Sequence, residues 1–145
     1  MANRYWVGGA GTWDSSNTAN WSDVFLGDGG FSVPTSADDV ILFLSTPETI
    51  TIASGATANS VRVIMQDSGA SVTLSANFTI LGNISHEKGT LALNNFQFTA
   101  DSFRNNSSDP KSIQFGTGNI TLVGSGTVWQ NSHVTDFTCT GSRTF

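Results

Sequence analysis

From residue 40 onward, apolar and polar residues alternate in short runs. Apolar side chains two positions apart, with Thr, Ser, Arg or Gln between them, are typical of a strand that buries one face. Gly, Asn, Ser and Asp fill the gaps and suit tight turns. The pattern therefore predicts an all-β chain, with no run at the spacing of an amphipathic helix. The predicted strands are Val40–Leu44, Thr49–Ile52, Val61–Val63, Val72–Leu74, Phe78–Ile80, Leu91–Leu93, Phe96–Phe98, Ile113–Phe115, Ile120–Leu122 and Val134–Phe137.

The first inward residues of alternate runs recur with a period of about 20 residues, which predicts a stack of similar coils. One series has steps of 22, 19, 22 and 21, and an interleaved series has steps of 19, 18 and 22. We therefore predict a short parallel β-solenoid, in which each strand pairs with its equivalent one turn away. An antiparallel β-sandwich or jelly roll is the alternative, since it also has many short strands between turns. The first series is Ile50, Val72, Leu91, Ile113 and Val134, and the second is Val61, Ile80, Phe98 and Ile120.

Residues 1–39 differ from the rest, because they hold three of the four Trp residues and six glycines. Burial of large aromatic side chains can pin a loop-rich segment, so we predict a cap over residues 1–39 and a solenoid over 40–145. Trp13 and Trp21 are expected to pack on each other. Pro34 suits the turn into the first strand because it lacks an amide hydrogen. The predicted cap residues are Trp6, Trp13, Trp21, Pro34, Asp38 and Asp39.

Two adjacent acids, Asp38 and Asp39, close the cap segment. Aspartate side chains often accept hydrogen bonds from turn amides, and this is the role we predict for both. Calcium binding is the alternative, but no dense series of oxygen ligands accompanies them.

The composition narrows the class of protein. A chain of 145 residues fits one domain, and 38% apolar residues are enough to build a core. A net charge of −5 argues against nucleic acids and anionic membranes as partners. The single Cys139 cannot form an internal disulfide. No signal peptide and no apolar run long enough to span a membrane is visible, so we predict no membrane insertion.

Patterns that carry chemistry are scarce. His86 and His133 lie 47 residues apart, without further ligands at metal-binding spacing, and there is no Gly-x-Ser-x-Gly motif. We therefore predict no catalytic residue, no cofactor and no metal. Phe25, Phe31 and Trp129 are candidates for exposed binding aromatics, with core placement as the alternative. The acids that a polysaccharide-cleaving enzyme would need lie mostly in predicted turns: Glu48, Asp67, Glu87, Asp101, Asp109 and Asp136.

Short strings in the N-terminal part of the chain carry a recognisable pattern. They are Gly11-Thr12-Trp13, Ala19-Asn20-Trp21-Ser22 and Val33-Pro34-Thr35-Ser36-Ala37-Asp38-Asp39-Val40-Ile41, which leads into Thr49-Ile50-Thr51-Ile52. This pattern resembles the N-terminal region of β-solenoid proteins of bacteriophage virions and of large bacterial surface adhesins. The resemblance implies a right-handed β-helix whose first coil is covered by the Trp-rich segment. It also implies a structural or adhesive module without catalysis.

The missing export signal and the short chain favour the virion branch of this resemblance, with folding in the host cytoplasm. We expect a non-enzymatic bacteriophage structural protein of the head or tail appendage, fibre or decoration type, with host-surface glycans as a further contact. The first alternative is an adhesion or carbohydrate-binding module at a bacterial cell surface. The second alternative is a polysaccharide-degrading enzyme of the tailspike type.

The C-terminal end of the predicted solenoid has no visible cap. Unpaired strand edges and an uncovered apolar cross-section must be covered, bound or made polar. We therefore expect this end to meet another virion protein, another copy of the chain or further sequence, with a homotrimer by analogy to fibres. The predicted assembly residues are Val134, Phe137 and Phe145.

Overall fold

The strands wind into a parallel β-solenoid of about five turns. The structure is a computed structural model that describes residues 1–141. The strands are β1 (Asn3–Trp6), β2 (Gly11–Trp13), β3 (Trp21–Ser22), β4 (Asp39–Leu44), β5 (Thr49–Ile52), β6 (Ser60–Met65), β7 (Ser71–Leu74), β8 (Phe78–Thr79), β9 (Asn83–Ala92), β10 (Gln97–Ala100), β11 (Ser102–Asn105), β12 (Lys111–Gln114), β13 (Asn119–Leu122), β14 (Trp129–Asn131) and β15 (Phe137–Thr140). A 3₁₀ turn at Val134–Asp136 precedes β15. None of the helical structure in residues 1–141 is long and apolar enough to cross a membrane.

The strands line three faces of the solenoid. Face A contains β1, β4, β6, the first part of β9, β11 and β14. Face B contains β2, β5, β7, the last part of β9, β12 and β15. Face C contains β8, β10 and β13. All these pairings are parallel, so the predicted solenoid is confirmed and the antiparallel sandwich is excluded.

Face B carries the predicted repeat. Ile50 pairs with Val72, Val72 with Leu91, and Leu91 with Ile113, each one turn apart and all buried. The last member of that series is wrong, because Ile113 pairs with Cys139 instead of Val134. The extra length lies between β13 and β14, where residues 123–128 replace the single residue between β10 and β11 one turn earlier, and this shifts the register.

The second predicted series mixes two faces. Val61 lies on face A, where it pairs with Val40 and Ile84, whereas Phe98 lies on face C and pairs with Phe78 and Ile120. The steps of this second series are nevertheless regular, because the turns have similar lengths and positions on different faces therefore recur with nearly the same period.

Part of the cap segment belongs to the solenoid. Strand β1 pairs in parallel with β4, and β2 pairs in parallel with β5. Strand β3 pairs with β1 in antiparallel fashion and closes the N-terminal edge of face A. Residues 3–13 therefore contribute strands to faces A and B. Residues 14–38 form loops and the short strand β3.

Strands β11 and β14, and the first part of β9, have no counterpart among the predicted strands. The buried positions of β9 and β11 include the polar residues His86, Ser102 and Asn105, which break the apolar alternation. One strand, β9, runs through a corner and contributes to both face A and face B. Its Gly89 has φ +85°, and a Cβ there would lie 2.5 Å from the Cβ of Met65, so the corner requires glycine.

Candidate functional site

The N-terminal end of the core is covered by three indole rings. Trp21 contacts Trp6 and Trp13 edge to face, with centroids 5.2 Å apart in each pair. Trp13 also contacts Phe78 at 5.2 Å, which joins the rings to the interior of the solenoid. All three indoles are buried. The Nε1 of Trp6 donates to the carbonyl of Gly9 at 2.7 Å. Such T-shaped contacts bury a large apolar area at the solenoid end.

The turn before β4 is held by carboxylates. Pro34 is buried at this turn. The Oδ2 of Asp38 accepts hydrogen bonds from the backbone N (3.0 Å) and Oγ1 (2.8 Å) of Thr35. Burial raises the pKa of Asp38, but these hydrogen bonds, together with the charge of Arg4, outweigh it, and the pKa lies below its ordinary value. The Oδ1 of Asp39 accepts from the Oγ of Ser60 at 2.6 Å. Both acids therefore bind neighbouring polar groups, and residues 1–141 hold no cluster of three or more His, Cys, Asp or Glu suited to a metal ion.

The C-terminal end differs, because its indole, Trp129, is 40% exposed. Strands β13 and β14 each pair on one side only within the described residues, as β2 and β8 do at the N-terminal end. Trp129 stacks on Phe103 with centroids 4.4 Å apart, and Phe137 contacts Trp129 at 6.1 Å. Of the predicted assembly residues, Val134 lies in the 3₁₀ turn rather than in a strand and is 70% exposed, and Phe145 lies outside the described residues.

A groove of about 510 Å³ lies on the outer side of face A, over the N-terminal turns. Its apolar part is a row of aromatic rings and branched side chains. Phe25, from the loop after β3, contacts Tyr5 at 5.8 Å and Phe43 at 5.1 Å, both edge to face. Ile41 and Ile64 line the groove beside them. Phe25 remains 48% exposed, so one side of its ring is open to solvent.

The polar part of the groove comes from neighbouring strands. Asn3, Asp39 and Ser60 are register partners on β1, β4 and β6, so their side chains form one row. Asn83 and Ser85 of β9 continue the lining.

An ion pair borders the groove. Arg62 binds Glu87 through two hydrogen bonds, Nε to Oε1 at 2.6 Å and NH2 to Oε2 at 3.0 Å. The hydrogen bonds to Glu87 raise the pKa of Arg62 above its ordinary value. Glu87 is the extra residue of an irregularity, since Val63 pairs with His86 and Ile64 with Lys88. The alternation of β9 places Glu87 on the outer side after the buried His86, where its carboxylate binds Arg62.

The predicted binding aromatics are exposed but do not share one site. Phe25 lies in the groove, Phe31 is 44% exposed elsewhere on the cap segment, and Trp129 is 40% exposed at the opposite end. Sequence analysis missed Tyr5 and Arg62. Strand β4 gave a usable signal, because Val40–Leu44 is apolar at every position and a strand with one solvated face alternates instead.

Polar side chains also lie inside the last turns. The ring of His86 is buried, its Nε2 donates to the carbonyl of Gly89 at 3.2 Å, and its Nδ1 has no hydrogen-bond partner among residues 1–141. Burial lowers the pKa of His86 to about 4. The Nζ of Lys111 donates to the carbonyl of Ser107 at 2.7 Å, and burial lowers its pKa. Both groups are buried and contribute to the interior of the last turns.

The chain was compared with protein-family models, with curated proteins and with solved structures, and none of the three comparisons found a match. The fold is therefore established from the strand pairing alone. The relation to phage virion proteins or adhesins remains a prediction from the sequence.

Proposed function

We propose that the chain is a non-enzymatic structural protein of a bacteriophage particle, built as a short appendage with one sealed end and one joining end. The observation that supports this role is the contrast between the two ends. Three buried indoles cover the N-terminal end, whereas Trp129 at the C-terminal end is 40% exposed beside strands β13 and β14, each of which pairs on one side only within the described residues.

Open parallel edges favour association with another chain, because their N–H and C=O groups can pair with a further strand. Trp129 adds a large, partly exposed ring at this edge, and Trp is among the residues that most often dominate binding interfaces. We propose self-association through this end, with three copies by analogy to phage fibres, before or during attachment to the particle.

The association can be tested by light scattering of the full chain after size exclusion, with Trp129→Ser as the test variant. We expect the wild-type chain to form a multimer, and W129S to weaken association about 30-fold, as loss of a central interface Trp does. Phe31→Ser is the matched control, because Phe31 is similarly exposed but lies on the cap segment. Detection of the protein in purified phage particles would support the virion role.

The assembly proposal fails if the wild-type chain stays monomeric at high concentration. It also fails if W129S and F31S associate equally well.

A second candidate function is adhesion to surface carbohydrate, and the groove on face A favours it. A rigid scaffold that presents exposed aromatic rings beside amide and hydroxyl groups is suited to binding without catalysis.

A further inference from the structure

We infer that the groove on the outer side of face A binds an uncharged oligosaccharide, with one sugar ring seated against Phe25 and Tyr5. This inference rests on the adhesion role proposed above and is independent of assembly at the C-terminal end. The volume of about 510 Å³ lies within the usual range for small-molecule sites, roughly 300–1,000 Å³.

The aromatic row provides the apolar contact that a sugar ring needs. A saccharide has C–H faces that pack against aromatic rings and hydroxyl groups that require hydrogen-bond partners. Phe25 contacts Tyr5 and Phe43 edge to face, and these two contacts fix the orientation of its exposed side. An oriented ring binds a ligand at a lower entropic cost than a mobile one.

The polar row provides matched donors and acceptors. Side chains on adjacent strands of a sheet lie about 4.8 Å apart, and alternate positions along a strand lie about 6.7 Å apart. Asn3, Ser60 and Ser85 therefore offer amide and hydroxyl groups at spacings set by the backbone. The hydroxyl hydrogens of Ser60 and Ser85 are donated to Asp39 and Glu87, so these oxygens can accept from sugar hydroxyls, while the amide of Asn83 can donate and accept.

The charges of the groove favour an uncharged ligand. Its charged lining residues are Arg62 and Asp39, which have opposite sign. Arg62 is already neutralised by two hydrogen bonds to Glu87. A phosphate or uronate would meet no unpaired cation in the groove and would be repelled by Asp39.

The groove is also largely formed in advance. Its walls come from β1, β4 and β6, each paired on both sides within the described residues. Only Phe25 comes from a loop. Binding should therefore need little rearrangement of the backbone.

The test is a titration of the isotope-labelled full chain, followed through backbone amide resonances. The probes are neutral oligosaccharides of glucose, mannose, galactose and N-acetylglucosamine, with an oligogalacturonate as the charged comparator. We expect at least one neutral probe to bind with a dissociation constant of about 1 mM or below and to shift amides of β1, β4 and β6. The oligogalacturonate should bind more weakly.

Phe25→Ala should weaken binding of that probe about tenfold, since an aromatic contact contributes up to about 1.5 kcal/mol. Phe25→Leu keeps apolar contact with Tyr5 and Phe43 but removes the flat ring, so it should lose affinity with the fold intact. Phe31→Ala is the matched control and should bind like the wild-type chain.

Several results would overturn the inference: no neutral probe binding at millimolar concentration, shifts confined to faces B or C, equal affinities of F25L and F31A, or tighter binding of the oligogalacturonate. A chain that binds a neutral probe but stays monomeric contradicts the assembly proposal alone. A chain that assembles without binding any neutral probe contradicts the saccharide site and leaves the assembly proposal standing.

Discussion

The N-terminal and C-terminal turns share one fold but have different interiors. Around β4 to β7 the inward residues are aliphatic, and three indoles close the end. Around β9 to β12 the interior includes His86, Ser102, Asn105 and Lys111. Buried polar groups stabilise a fold only when they are hydrogen-bonded, so the two halves depend on different interactions. Apolar packing dominates the first half, while the second half depends more on specific polar contacts.

The largest expected effect comes from opening the N-terminal end. Trp21→Ala removes a buried indole that contacts both Trp6 and Trp13, and should lower the free energy of unfolding by about 3–5 kcal/mol in urea denaturation. Trp21→Phe is the matched variant. It keeps an aromatic ring and removes an indole N–H that has no hydrogen-bond partner in the part of the chain that the structure describes, so its loss of stability should be smaller. A loss below 1 kcal/mol for W21A would contradict the view that these rings seal the end.

The second prediction concerns acid and the C-terminal half. The pKa of His86 is lowered to about 4 in the folded chain, so the unfolded chain binds more protons between about pH 6.5 and 4. Stability should therefore fall as the pH drops through this window, by about 3 kcal/mol, and the contribution of His86 should be flat below it.

Several charged groups lie near His86. Lys111 of β12 disfavours the protonated ring, while Glu87 and Lys88 flank it on β9 and Asp109 forms an ion pair with Lys88. Urea denaturation of the wild-type chain and of His86→Leu, measured across this pH range, separates the contribution of the histidine from that of the other charged groups. Equal pH slopes in both proteins would show that His86 does not cause the acid sensitivity.

A smaller effect is expected from a polar contact between the last turns. The Nδ2 of buried Asn105 donates to the Oδ1 of Asn131 at 2.6 Å. Asn105→Ala should lower the free energy of unfolding by about 1–3 kcal/mol, since it leaves a void and a polar partner without its donor. Hydrogen exchange should increase in β11 and β14 and remain unchanged in β4. Exchange that rises equally in β4 would show that the two halves unfold as one unit.

The sequence predicted the fold class because face B repeats one simple rule. Ile50, Val72, Leu91 and Ile113 are aliphatic, inward and separated by similar steps, so the period was visible. The rule fails where inward residues are polar, as at His86, because alternation in hydrophobicity then disappears. It also fails at Val134, because the longer connection at residues 123–128 shifts the register of the strands that follow by several residues.

The candidate site was less predictable than the fold. Phe25 was recognised as a possible binding aromatic, but its contacts with Tyr5 and Phe43 bring together segments about 20 residues apart on either side. Such pairs depend on how the loop after β3 returns over face A, and local periodicity carries no information on that path. Ile41 faces outward because of its position in the alternation of β4. Its place in a groove depends on the neighbouring strands.

The corner strand β9 has a mechanical consequence. Its ten residues pair with β6 and β11 on face A and with β7 and β12 on face B. A pulling force along the solenoid axis would therefore be carried at this turn by backbone hydrogen bonds on both face A and face B, and both sets belong to one continuous strand. The middle turn should resist extension more than the last turn, where β14 and β15 are separate strands.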